Sequence, residues 1–241
     1  MEVSSINSAV HDQGISLRQA ALTAGIGILI MAIAGPFAEL VVYPKLVIPG
    51  KIEETVRNIS ANQGFFLAGV FAYLIIFVCD VLVAWALYVL LIPVNRTLSL
   101  LTAWFRLVYA VIALFGLSNL VTVFRLLNTP DYLTVFGSDQ LHAQVRLLLN
   151  SFHYEWGMGL MLFGIHLGLL GYLVYRSDYI PRILGVLLAV AGLGWVIDSL
   201  KPYLYPDADL GFIMITFFGE LIFMLWLLVR GWKIQEPIPH S

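Results

Sequence analysis

Between residues 19 and 232 long apolar stretches alternate with short polar links. Neither the two-residue period of a half-buried strand nor the one-sided stripe of a soluble amphipathic helix describes them. About 20 apolar residues in helical form cross the ~30 Å of bilayer hydrocarbon. Six stretches reach that length: 20–43, 64–93, 98–126, 152–175, 182–200 and 210–230. They predict an all-α, polytopic membrane bundle of six transmembrane helices in one domain, 19–232. Polar tails, 1–18 and 233–241, flank it. The apolar stretch after the first tail is too long for the core of a cleavable signal and reads as a true first span.

The links are of two kinds. Short ones, "PVNRTLS" (93–99) and "RSDYIPR" (176–182), join the second span to the third and the fourth to the fifth. Longer ones, 44–63 and 127–151, lie on the opposite side. In "SDQLHAQVRLLLNSF", Ser138 takes an N-cap position, and Leu141, Val145, Leu148 and Phe152 fall on one helical face. That pattern predicts an interfacial helix around 138–151 feeding the fourth span. Tyr43, Tyr154, Trp156, Tyr203, Tyr205 and Trp232 stand near span ends, where headgroup anchors belong. Arg18, Arg96, Arg176, Arg182, Arg230 and Lys233 flank the side holding both termini. The positive-inside rule makes that side cytoplasmic, in a cell membrane.

Composition narrows the function classes. Hydrophobic residues make up 60% of the 241 and charged ones 12%, with a mean hydropathy of +0.90, well outside the soluble range. The net charge of −2 comes with no basic block, so nucleic acid is not an expected partner; the bilayer is. The lone Cys79, in an apolar run, excludes an internal disulfide and a multi-cysteine metal site.

"GYLVYRSDYIPRILG" (171–185), "GLGWVIDS" (192–199) and "GELIFMLWLLVRG" (219–231) resemble a family of prokaryotic membrane proteins, domain of unknown function 4386. "ISANQ" (59–63), "DVLVAWALYVLLIPVN" (80–95) and "AWFRLVYAVI" (103–112) resemble its N-terminal half. Gln63 stands where glutamate is expected, and Trp195 where tyrosine is commoner. The resemblance covers nearly the whole chain and implies a multi-span fold, with no activity to carry over.

Chemistry therefore has to come from ionisable residues inside the spans. An aspartate at the bilayer centre costs at least ~2.5 kcal/mol, so each such residue needs a partner or a task. Asp80 lies 13 residues before Pro93, ~20 Å from the terminal side; Arg106 lies ~12 Å up its span, with a long stem that extends its reach. The seven-residue link makes these helices antiparallel neighbours, so an Asp80–Arg106 ion pair is expected. His166, ten residues before Arg176, falls at ~15 Å in the same layer. The trio either fixes helix packing or forms a substrate or proton site.

Glu39, Glu155, Asp198 and Glu220 are acids on four spans, all read as nearer the other surface. Pro36, one turn before Glu39, is expected to kink the first span. Glu155 and His166 are eleven residues apart and share a helix face. Arg125, Arg146 and Lys201 are candidate counter-charges. The expectation is that Glu39, Asp198 and Glu220 converge on a cavity, with His166 at its floor and Glu155 on the same track. The rival is that each acid reaches the headgroups separately.

Other chemistry finds little footing. His142, His153 and Glu155 lack the spacing of a metal-binding helix, and no serine elbow or phosphate loop is present. No cofactor or metal is implied. Gly164-x3-Gly168 makes a helix-contact face, and with it a candidate homo-oligomer surface. Three classes stay open. The first is a protein that binds or carries a small molecule, proton or cation in a polar cavity. The second is an intramembrane enzyme acting on a lipid-soluble substrate, with Glu220 or Glu39 as base. The third is a structural or regulatory subunit without a substrate.

Overall fold

In a computed structural model, which describes residues 15–209 and 211–234, helices joined by tight links account for nearly every described residue. The expected tails fall largely outside that range. Six helices are long and apolar enough to cross a membrane: Leu17–Leu46, Gln63–Leu91, Arg96–Asn128, Ser138–Arg176, Arg182–Leu204 and Ile215–Lys233.

The first, α1 (Leu17–Leu46), starts at a capping box: Ser16 Oγ accepts the Gln19 N–H, and Gln19 Oε1 accepts the Ser16 N–H. The bend expected at Pro36 takes the form of a π-helical turn, Phe37–Val42, in which the Tyr43 N–H reaches Ala38 O, five residues back. Proline supplies no N–H and crowds the preceding turn, so the hydrogen-bond ladder resumes with a wider loop. That wider turn carries Glu39.

A short helix α2 (Ile52–Ala61) precedes α3 (Gln63–Leu91). Its buried Thr55 hydroxyl accepts the Ile48 N–H at 3.0 Å and so ties the loop to the helix. Helix α4 (Arg96–Asn128) is capped by Asn95, whose side chain accepts the Leu98 N–H. One further turn, α5 (Pro130–Val135), leads to α6 (Ser138–Arg176).

Helix α6 corrects one expectation. Instead of a separate interfacial helix at 138–151, the segment is the first part of one continuous 39-residue helix. Nothing in its sequence breaks it, and ~58 Å of helix overshoots the ~30 Å hydrocarbon. Gly137 holds the N-cap position and Ser138 is the first helical residue, so Ser138 makes no cap bond. Leu141, Val145, Leu149 and Phe152 are the buried face of the overshoot, and α2 packs against α6. Helix α7 (Arg182–Leu204), a 3-10 segment (Gly211–Phe217) and α8 (Phe218–Arg230) complete the chain.

Packing follows chain order. Helix α1 lies on α3, α3 on α4, α4 on α6, α6 on α7, and α8 closes the ring by packing on both α7 and α1. In lipid, apolar burial does not drive helices together, so close van der Waals fit must. The α6–α7 pair makes that fit through glycines. A Cβ on Gly164 would stand 2.6 Å from Gly192 O, and one on Gly171 would stand 2.6 Å from Gly185 O. Gly164 is thereby committed to a contact within the chain rather than open to a second copy, whereas a Cβ on Gly168 would meet nothing within 4 Å.

The perimeter is apolar, with Ile33, Leu40, Val111, Phe115 and Leu193 among its exposed side chains, while Asp80, Arg106 and His166 are wholly buried.

Candidate functional site

The ring closes around Arg106. A guanidinium has five N–H donors and no acceptor, so burying it requires a partner for each donor. Four other spans supply them. Nε donates to Asp80 Oδ1 at 2.9 Å, and Nη2 lies 2.8 Å from that same oxygen. Nη2 also faces Met31 Sδ at 3.8 Å. Nη1 is shared between His166 Nε2 at 3.2 Å and Glu220 Oε1 at 3.4 Å. The Phe163 ring stacks beneath, 5.2 Å from the guanidinium carbon. Met31, Asp80, Arg106, His166 and Glu220 thus come from α1, α3, α4, α6 and α8 respectively.

His166 is fixed by the same logic. Its Nδ1 lies 2.8 Å from Thr102 O, which can only accept, and its Nε2 faces Arg106, which can only donate. The ring is therefore the neutral Nδ1–H tautomer. It was expected to be a group that exchanges protons at a cavity floor; instead both nitrogens are engaged, and a second proton would set donor against donor.

The Asp80–Arg106 pair stands as the depth count expected. Glu220 does not stand where it was placed. It joins this cluster instead of an outer acidic layer, because it lies ten residues before Arg230. Arg106 is likewise ten residues from Arg96, His166 ten from Arg176 and Asp80 eleven from Leu91, so all four sit ~15 Å from one set of helix ends.

The two carboxyl groups are held differently. Asp80 is wholly buried, with two donors on Oδ1 and no hydrogen-bond partner for Oδ2 among the described residues. Glu220 keeps 17% of its side chain accessible and has one long contact to Arg106.

The other acids disperse. Glu39, on the π turn, accepts a hydrogen bond from the Tyr73 hydroxyl at 2.7 Å. Glu155 accepts one from Asn119 Nδ2 at 2.8 Å and packs against Gly116 of α4. Asp198 is exposed on α7. None of Arg125, Arg146 and Lys201 pairs with these acids among the described residues. The expected convergence of Glu39, Asp198 and Glu220 is not formed, because the wide turn points Glu39 at α3 and Asp198 faces outward. No group of three His, Cys, Asp or Glu among the described residues could hold a metal ion.

Sequence reasoning missed an aromatic layer between Glu39 and the cluster. Trp156, expected at the headgroups, packs inward against Tyr73, Phe77 and Phe152 at 4.8, 5.9 and 5.3 Å. Its indole lies beside the buried Tyr109 hydroxyl. Trp195 stacks on Phe217 at 4.0 Å and meets Phe163 edge-on at 6.0 Å. Above this layer is a cavity of about 280 Å³ lined by Glu39, His153, Trp156, Gly157, Leu160 and Trp195. A tryptophan three positions from His153 on the same helix as His166 was the available signal, and its nearness to a span end disguised it.

Comparison with known proteins adds kinship without chemistry. The family model described as Domain of unknown function (DUF4386) matches residues 23–231. A protein of Archaeoglobus fulgidus described as an uncharacterized protein is 36% identical over 174 residues, which cover 72% of this chain and 88% of that one. No solved structure matches.

Proposed function

This chain belongs to the DUF4386 family, and we propose that it is a multi-pass protein of the cell membrane that binds and carries a proton at the Arg106 cluster. The observation behind this reading is a charge count. One guanidinium faces two carboxyl groups, Asp80 and Glu220, while His166 is held neutral by its partners. Two ionised acids would leave one uncompensated negative charge in a low-dielectric bundle, a costly state. A proton on one acid removes it.

Glu220 is the better carrier of that proton. It is more loosely held than Asp80 and keeps partial access to its surroundings. The groups near it are Asp80 on α3 and Arg106 and Tyr109 on α4, while His166 of α6 and Met31 of α1 reach the same guanidinium. Losing the proton makes Glu220 a full counter-ion to Arg106, which weakens Arg106's hold on Asp80. Such competition of two carboxylates for one guanidinium gives two arrangements, as a carrier needs. The basic short links place both termini in the cytoplasm in this reading.

The test is proton movement in proteoliposomes that enclose a pH-sensitive dye, driven by a potassium diffusion potential. Wild-type protein should acidify the lumen faster than Glu220→Gln protein. If the two match each other and protein-free vesicles, the cluster serves only packing.

A further inference from the structure

We propose that the cavity beside Glu39 is a binding site for a small organic monocation, an alkyl- or arylammonium, held between the Glu39 carboxylate and the Trp156 and Trp195 indoles. Nothing in the cluster below accounts for this cavity, and the proposal does not depend on proton binding there.

Three observations converge on a cation of this kind. First, Glu39 has one hydrogen bond, from Tyr73 to Oε1, and no ion pair among the described residues. Lys45, six positions later on the same helix, lies over the Phe65 ring at 5.6 Å instead. The tyrosine fixes the carboxyl without neutralising it. Second, the walls are aromatic and already held in place: Trp156 by Tyr73, Phe77 and Phe152, and Trp195 by Phe217 and Phe163. Indole faces attract cations, most strongly those that shed water easily, and ammonium ligands with apolar substituents do so. Third, one carboxylate and one imidazole, His153, among otherwise apolar walls make a poor cage for a hard metal ion, which takes six or more oxygen ligands. No group of three candidate ligands exists among the described residues.

Size narrows the class further. The cavity's 280 Å³ lies just under the about 300 Å³ at which ligand pockets usually begin, so the occupant is small. Glu39 sits on the π turn after Pro36, from which its carboxyl reaches Tyr73 of α3 and lines this space.

Benzyltrimethylammonium is the probe, and neopentylbenzene, of the same shape without charge, is its control. With the full chain in lipid nanodiscs, intrinsic tryptophan fluorescence should change saturably with the cation and not with the hydrocarbon. Glu39→Gln should weaken the cation by about tenfold or more, and Trp195→Leu by a similar factor. Circular dichroism and a thermal midpoint matching wild type identify Glu39→Gln protein as folded, which guards against misreading a folding defect as lost binding. The proposal is overturned if the wild type shows no saturable change. It also falls if the hydrocarbon binds as tightly as the cation, or if folded Glu39→Gln or Trp195→Leu protein binds like wild type.

Discussion

Arg106 places two of its N–H donors on a single oxygen of Asp80, Nε at 2.9 Å and Nη2 at 2.8 Å, and leaves the second carboxylate oxygen without a hydrogen-bond partner among the described residues. A side-on fork of this kind leaves Nη1 free to engage His166 and Glu220. The ion pair is thus one edge of a larger network, and its mutational behaviour should be asymmetric.

Arg106→Leu strands Asp80 and Glu220 together and should destabilise the bundle by about 3–5 kcal/mol. Asp80→Asn leaves Arg106 with Glu220 as counter-ion and should lose less. The double variant Asp80→Asn, Arg106→Leu removes the main pair and should recover much of the loss. Thermal unfolding in detergent measures all three, and simple additivity of the singles would contradict the pairing.

The His166 tautomer makes a spectroscopic prediction. Nitrogen NMR of histidine-labelled protein at neutral pH should show one ring protonated at Nδ1 and bare at Nε2. His166→Leu removes an acceptor from Arg106 and a donor from Thr102 O, and should destabilise by about 1–3 kcal/mol. A doubly protonated ring at this position would contradict the geometry.

Gly164 and Gly192 bring α6 and α7 to backbone contact, so Gly192→Leu should separate them and lower stability by about 1–3 kcal/mol. Gly168→Ala should be neutral or slightly stabilising, since a methyl there meets nothing within 4 Å and alanine favours helix by up to ~1 kcal/mol. Thermal midpoints of the two variants, compared side by side, decide it.

The spans were legible because lipid leaves few choices: a 20-residue apolar run has to cross as a helix. Asp80 and Arg106 were legible for a related reason, since a short link fixes neighbours and helical rise fixes depth. Glu220 was assigned to the wrong layer because its depth was judged from the uncertain end of its span; counting back from Arg230 gives the depth of His166. Ser138 was read as a cap because a polar residue preceding an apolar face has that look, yet nothing in the next 38 residues stops a helix. Glu39 finding Tyr73, and Trp156 turning inward, depend on a π turn and on which face of a helix meets which neighbour. Composition carries neither.

Topology is open to direct measurement. A reporter active only in the cytoplasm, fused after Ser241, should be active, and the same reporter inserted in the link 127–137 should be silent. The reverse pattern would invert the reading of the basic short links.

The central claim is that the two acids facing Arg106 hold one proton between them. Infrared difference spectroscopy of the protein in lipid reports it as the carbonyl stretch of a protonated carboxylic acid. Wild-type protein at neutral pH should show that band, and Glu220→Gln protein should lose it, while a Glu39→Gln control tells this carboxyl from the one in the upper cavity. A wild-type spectrum without the band, with Asp80 and Glu220 both ionised and no added cation present, would contradict the account.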